Sequence, residues 1–241
     1  MTNHRQLTLA WRMYADDNQD RLVYASHSGT ASDPLNAFAW TWTEMSFSPD
    51  PKNWDFNADI TQRPLWPYNR SPGIYKCPAD RSFVTLANGE IKPRVRTMSM
   101  NFFLGGFGGT YSGASFAAPY TIFLKNSQIT GGKGSPGPVK TFVFLDQRED
   151  TINWGNFMTH MDGFEPSKPA LYKFTMDLPG IYHNRAAGFS FADGHSEIKK
   201  WKDSRTTPPM QYQISGRSSD SPSPRNVDVA WLQDHTTRPK K

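Results

Sequence analysis

Two imidazoles and a carboxylate late in the chain are the side chains best placed to do chemistry. His183 is followed by nine residues and then by Asp193-Gly194, and His195 comes next. Such a set could bind a divalent ion or supply acid–base groups. Asp-Gly is equally typical of a tight hairpin turn, which would leave His183 to hydrogen-bond the backbone or a carboxylate. We favour the turn, with Asp193 and His195 kept as alternative metal ligands.

A second oxygen-rich group lies directly after a strongly apolar segment. Asp146, Glu149, Asp150 and Asn153 offer three carboxylates and an amide within eight residues. Calcium prefers six to eight such oxygens, so calcium is the one cofactor that the sequence suggests. The spacing fits no EF-hand loop, and a solvated acidic turn after a buried strand is the alternative.

Cys77 is the single cysteine of the chain, so it has no internal disulfide partner, and we expect no cysteine-based zinc site. Paired with His183 or His160 it could act as a nucleophile. It precedes a proline, however, and no helix N-terminus follows that would lower its pKa. No signature of a hydrolase, a zinc protease or a nucleotide-binding loop is present. We therefore predict that the protein is not an enzyme, and the alternative is a metal-dependent hydrolase built on His183, Asp193, His195 and Asp146.

Composition and charge restrict which functional classes remain: nucleic-acid binding, membrane insertion and glycan binding. The 241 residues carry a net charge of +5, without a concentrated basic stripe, which argues against a nucleic-acid partner. The chain contains no apolar run of about 18 residues that could span a membrane. Aromatic residues make up 14% of the chain and include eight tryptophans. Trp40, Trp42, Trp54, Trp66 and Trp154 could stack on sugars as a glycan-binding platform, although packing in the core is the simpler expectation.

The elements that would position these groups follow from periodicity. Asn3–Asp20 places Leu7, Ala10, Trp11 and Tyr14 on one apolar face of a helix, with Asn3 as N-cap. Residues 140–146 read as a buried strand and residues 94–104 as a second strand, in which Arg94 and Arg96 share one face and serve structure. A linker over 217–226 precedes a short last element, 227–233. The sequence predicts an α+β fold, with an N-terminal amphipathic helix on an antiparallel sheet with long loops.

The late hairpin allows a finer prediction. A two-residue loop at Asp193-Gly194, with positive φ at both residues, pairs Ala192 with His195 and Phe189 with Ile198. Phe189, Phe191 and Ile198 then share one face, and we expect the phenylalanines to pack against Leu7 and Trp11 of the helix.

Five segments in this order resemble the pseudopilin-like proteins of Verrucomicrobia, Planctomycetes and Lentisphaerae, which carry a prepilin-type N-terminus and a late His-X9-Asp-Gly motif. The segments are NHRQLTLAWRMYADDNQDRL, YKCPAD, RVRTMSMN, TFVFLD and YHN…FSFADGHSE. The resemblance marks His183, Asp193 and Gly194 as the motif residues and covers about residues 3–201. It implies that residues 1–20 are the C-terminal part of a pilin helix and that 21–241 form a globular body with loop insertions and a C-terminal tail.

The resemblance also implies a function and a location. The protein would be a structural subunit of a type II secretion or type IV pilus-like apparatus, with other pseudopilins as partners and an extracytoplasmic body. A membrane would be reached only through an upstream apolar helix that this sequence lacks. An upstream cysteine could then pair with Cys77. The alternative to the structural function is a glycan-binding module on the same scaffold. Calcium-binding relatives raise the expectation of calcium near Asp146.

Overall fold

The computed structural model describes residues 1–42, 44–111, 114–212 and 220–240. It contains three α-helices, nine strands and several single-turn 3-10 helices within those ranges. The helices are α1 (Thr2–Asp17), α2 (Trp66–Asn69) and α3 (Val227–Asp234). The strands are β1 (Phe83–Thr85), β2 (Ile91–Pro93), β3 (Met98–Asn101), β4 (Phe142–Asp146), β5 (Asn156–Phe157), β6 (Lys173–Phe174), β7 (Ala186–Phe191), β8 (Ser196–Lys200) and β9 (Ser221–Pro222). Among the described residues, no helix combines the length and apolar character needed to cross a membrane.

A five-stranded sheet in the order β5-β3-β4-β7-β8 forms the centre of the molecule. Its pairs are antiparallel except for β3 with β5. Strands β3, β4 and β7 are buried along their whole length, because α1 covers one face of the sheet and α3 the other. The predicted α+β fold, with an N-terminal helix on a largely antiparallel sheet, is confirmed.

Helix α1 packs on the sheet as the periodicity predicts, with Leu7, Trp11 and Tyr14 in the first core cluster. The predicted N-cap is wrong. The helix begins at Thr2, and Asn3 lies inside it. The Asn3 side chain instead donates to the carbonyls of Gly73 and Lys76, 2.9 and 3.0 Å away. These bonds tie the first turn of α1 to the loop that carries Cys77.

The late hairpin forms, but its predicted register is wrong by one residue. Ser190 pairs with Ser196 and Phe189 with Glu197, and the Phe191 N–H bonds the His195 carbonyl. The loop therefore has three residues, 192–194, and only Gly194 adopts a positive φ, +96°. A loop of this length commonly ends in a residue with positive φ, so Gly194 fixes the turn and Asp193 stays in ordinary backbone space.

The prediction for which face of the sheet the rings occupy is also wrong. Phe189 and Phe191 pack with Val229 and Leu232 of α3 in the second core cluster, and not with Leu7 and Trp11. The face toward α1 carries the small residues Gly188 and Ser190, and Thr8 Oγ1 donates to Ser190 Oγ over 2.6 Å. Small residues there let the helix approach the strand closely. The one-residue slip in the β7–β8 pairing also places Glu197, and not Ile198 as predicted, beside Phe189.

The predicted strand at residues 94–104 shortens to β3, and both arginines precede it. Arg94 is buried and donates to the Glu149 carbonyl, while Arg96 is buried and donates to the carbonyls of Met98, Asn153 and Trp154. Their structural role is therefore that of donors to loop carbonyls. The predicted linker falls partly outside the described residues, at 217–219. Ser221–Pro222 pairs with β6, and Asn226 caps α3 by accepting from the Asp228 and Val229 N–H groups.

Asp177 is a buried carboxylate. Its Oδ1 accepts from Gln147 Nε2 at 3.0 Å and its Oδ2 from the Met158 N–H at 2.7 Å. Burial raises the pKa of Asp177 to about 7 despite these bonds. The usual value in an unfolded chain is about 3.9. Between these two pH values the folded protein holds a proton that the unfolded chain has lost.

We expect this difference to make Asp177 a source of pH-dependent stability. Its contribution to the free energy of unfolding is greatest below about pH 4. That contribution falls by about 1.4 kcal/mol per pH unit as the pH rises toward 7, and it stays constant at higher pH. Urea unfolding at several pH values should show this slope as the difference between the wild type and Asp177→Asn. Equal slopes for the two proteins between pH 4 and 7 would contradict the prediction.

Candidate functional site

Four segments that are distant in the sequence each place one polar side chain at the same point. His4 comes from the first turn of α1, Cys77 from the loop after the 3-10 helix Pro72–Tyr75, Asp146 from the end of β4, and His183 from the turn before β7. We call these four residues the convergence site. The same pocket is lined by Met1, Thr2, Asn3, Pro78, Ala79 and Met98.

The distances within the convergence site are short. Cys77 Sγ lies 3.3 Å from His183 Nε2, and His183 Nε2 lies 3.6 Å from Asp146 Oδ2. The sulfur, the imidazole nitrogen and a carboxylate oxygen of Asp146 all lie within 4.8 Å of one another. One ion could therefore contact all three groups after only small side-chain movements.

Backbone geometry holds Asp146 in place. The Gly188 N–H donates to Asp146 Oδ2 over 2.9 Å. Glycine is required at 188 because a Cβ there would lie 2.6 Å from His4 Nε2 and 2.9 Å from Asp146 Oδ2. Thus the small residue on the α1 face of β7 provides the room in which His4 and Asp146 meet.

His4 completes the convergence site from the side of the helix. Its Nε2 lies 3.2 Å from Asp146 Oδ1, yet the alignment is too poor for a hydrogen bond. Both ring nitrogens and Asp146 Oδ1 are buried without a hydrogen-bond partner, and His4 is only 2% exposed. Buried polar atoms are normally paired, so these three atoms are suited to accept a further partner.

The pKa values of the two acidic groups of the site, the Asp146 carboxyl and the Cys77 thiol, are shifted in opposite directions. Burial would raise the pKa of Asp146, but the neighbouring His4 and His183 rings and the Gly188 N–H outweigh it and lower that pKa. Burial, followed by the nearby Asp146 carboxylate, raises the pKa of Cys77 to about 11. The thiol is therefore protonated at neutral pH, which disfavours the nucleophilic Cys77–His183 pair considered from the sequence.

The expectation that the chain has no cysteine-based zinc site stays untested. The structure does bring the single cysteine next to a histidine and a carboxylate, which the sequence reasoning did not anticipate. The sequence offered one usable signal, because Cys77 and His183 each lie in one of the five segments on which the expected resemblance was based. Their distance of 106 residues gave no indication that they touch.

The predicted calcium ligands do not converge. Asp146 faces the convergence site, whereas Asp150 pairs with Arg148, with 2.9 Å from Nε to Oδ1. Glu149 lies near Asp80, and its burial together with that carboxylate raises the pKa of Glu149 to about 7. Asn153 contacts the Met176 sulfur. The acidic turn is therefore an internal network of paired groups.

Asp193 and His195 lie together at the tip of the hairpin, with 2.6 Å between Asp193 Oδ1 and His195 Nδ1. The His195 ring also stacks on Phe191.

Within residues 1–42, 44–111, 114–212 and 220–240, the one group of three metal-ligating side chains is Cys77, Asp146 and His183. Of the motif residues, His183 thus belongs to the convergence site, while Asp193 and Gly194 shape the turn.

The five tryptophans do not form one stacking platform. Trp40 is fully buried in the first core cluster, and Trp66 packs against that cluster. Trp54 lies under the Lys92 ammonium group. Trp42 and Trp154 both contact the ring of His27. The aromatic residues therefore serve mainly to fill the core and support loops.

Comparison with known proteins adds no identification, since no family model, curated protein or solved structure matches this chain.

Proposed function

We propose that this protein is a pilin-like structural subunit, in which α1 carries the globular body and packs beside α1 of a neighbouring copy. The observation that carries the proposal is the arrangement of an N-terminal helix docked by one face on a largely antiparallel sheet. A type II secretion or type IV pilus-like apparatus, with its bodies outside the cytoplasm, is the assembly in which such a subunit would act.

The segments that resemble the pseudopilin-like family support this proposal by their positions. Four of them supply one side chain each to the convergence site: His4, Cys77, Asp146 and His183. The fifth contains Met98, which lines the same pocket. The resemblance therefore lies in segments that meet in space and join the helix to the sheet.

The outer face of α1 offers a surface for a second helix. Leu9 and Met13 are 58% and 41% exposed, and they lie four residues apart on one side of the helix. Exposed residues of opposite charge flank them, with Arg12 on one side and Asp16 and Asp17 toward the C-terminal end. Two parallel α1 helices displaced along their axes would bring apolar residues together and opposite charges near each other.

We expect a photo-cross-linking amino acid at position 9 to join neighbouring subunits in cells that produce the protein. Mass spectrometry should locate the cross-links on α1 of the second copy, close to Met13. The matched control is the same amino acid at Val139, which is 62% exposed and lies outside α1. Equal cross-linking from both positions, or products that map away from α1, would reject the proposed subunit contact.

A further inference from the structure

We propose that Cys77, Asp146 and His183 bind one zinc-like divalent ion, with His4 as the outer partner of the Asp146 carboxylate. The proposal is independent of the pilin-like function and concerns a site that joins the first turn of α1 to the central sheet. The pocket that contains these side chains is also lined by Met1, Thr2 and Asn3.

The donor atoms select the class of ion. Binding replaces the S–H bond of Cys77 with a sulfur–metal bond and releases the thiol proton to solvent. The resulting thiolate, an imidazole nitrogen and a carboxylate oxygen suit Zn²⁺ and its relatives Co²⁺ and Ni²⁺, whereas Ca²⁺ and Mg²⁺ prefer oxygen alone. Three protein ligands with a remaining open position are a common zinc arrangement. This donor set differs from the all-oxygen calcium group that the sequence suggested near Asp146.

The spacing fits one tetrahedral ion. Zinc bonds of about 2.0–2.1 Å to nitrogen or oxygen and about 2.3 Å to sulfur place neighbouring ligand atoms about 3.3–3.6 Å apart. Cys77 Sγ and His183 Nε2 are 3.3 Å apart, and His183 Nε2 and Asp146 Oδ2 are 3.6 Å apart. Two of the three separations thus match those that coordination requires, and the third, between Cys77 Sγ and an Asp146 oxygen, is within 4.8 Å, so small side-chain movements complete the site.

Surrounding groups provide the outer contacts that metal ligands usually have. The Gly188 N–H fixes Asp146 Oδ2, and the Asp80 N–H donates to the Cys77 carbonyl over 3.0 Å, which holds the turn that carries the thiol. Asn3 holds the loop just before Cys77 through its bonds to the Gly73 and Lys76 carbonyls. Such contacts orient ligands and contribute to metal affinity.

The unpartnered atoms of His4 give an independent reason for a ligand here. A buried imidazole without any hydrogen bond, directed at a carboxylate that also has an unpaired oxygen, is costly unless a further partner orders the two groups. An ion bound to Asp146 Oδ2 would fix the carboxylate in place and leave Oδ1 directed at His4. His4 could then donate to Asp146 Oδ1 after a small rotation of its ring.

The test is a titration of the purified, chelator-treated chain with Co²⁺ and then Zn²⁺. We expect one equivalent of Co²⁺ to produce the visible bands of a tetrahedral ion and a thiolate charge-transfer band, both removed by Zn²⁺. Cys77→Ser should abolish the charge-transfer band. His183→Gln should weaken Co²⁺ binding by more than 100-fold, and His4→Gln by about 10–100-fold, as outer-contact substitutions do.

The matched control is His195→Gln, because His195 also lies within hydrogen-bond distance of an aspartate but at the hairpin tip. It should bind Co²⁺ like the wild type. Circular dichroism establishes that each variant is folded, and if Cys77→Ser does not fold, slower alkylation of wild-type Cys77 with Zn²⁺ present replaces that arm. A wild type without the cobalt spectrum, or binding lost in His195→Gln and kept in His183→Gln, would overturn the proposal.

Discussion

Replacing Asp150 by alanine is expected to lower the free energy of unfolding by about 3–5 kcal/mol, since breaking a buried ion pair leaves an uncompensated charge. The Arg148 side chain is 1% exposed and the Asp150 side chain 4% exposed. Arg148 Nε donates to Asp150 Oδ1, and Arg148 Nη2 donates to Asp150 Oδ2. The guanidinium also donates to the Pro208 and Pro209 carbonyls, so it has no easy route to solvent. Urea unfolding with circular dichroism measures the loss.

Asp203→Ala is the matched control for this prediction. Asp203 forms the same two-bond contact with Arg205, two residues away, but the Arg205 side chain is 44% exposed. Exposed pairs contribute about 0–1 kcal/mol, so this variant should remain close to the wild type. Equal losses in both variants would refute the buried-pair argument. Stabilisation by calcium in the wild type but not in Asp150→Ala would instead support the calcium site that the sequence suggested.

Gly188→Ala is the second substitution with a large expected effect, a loss of at least about 1–3 kcal/mol from overpacking. The added Cβ would lie 2.6 and 2.8 Å from two atoms of the His4 ring and 2.9 Å from Asp146 Oδ2. Backbone movement is restricted because β7 is paired on both sides and covered by α1. The urea midpoint should therefore fall, and the first turn of α1 should become more accessible to hydrogen exchange.

Gly73→Ala is the corresponding control, because a Cβ at position 73 meets nothing within 4 Å and Gly73 has no positive φ. It should be neutral or slightly stabilising through the lower entropy of the unfolded chain. A double-mutant cycle with His4→Ala should show that removing the ring recovers part of the loss at Gly188, because the two residues touch. Additive effects in that cycle would show that the clash lies elsewhere.

The sequence predicted those elements whose pattern is local. The apolar face of α1 repeats every three to four residues, and β4 is a run of aromatic and β-branched residues, so both are identified from the chain alone. The hairpin was identified from Asp193-Gly194, but not its register. Two-residue and three-residue loops both place glycine at a turn, and only packing against α1 and α3 selects between them.

The same contrast between local sequence pattern and tertiary packing explains why the site residues could not be assigned from the sequence. Asp146, Glu149 and Asp150 looked like one oxygen-rich group because they are close in sequence. In the structure the chain turns sharply after β4, so Asp146 faces His183 and Asp150 faces Arg148. A short spacing between carboxylates does not specify where each side chain points, and this decides whether they can share an ion.

The sequence by itself determined the α+β class, the N-terminal helix, the buried strand β4 and the late glycine turn, because each follows from periodicity or from one residue's backbone preference. Only the tertiary structure decided which face the rings of β7 occupy and which side chains meet around Asp146. His4, Cys77 and His183 are brought together by the stacking of α1 on the sheet. Contacts between residues so far apart in the chain depend on the packing of whole elements, which no local pattern encodes.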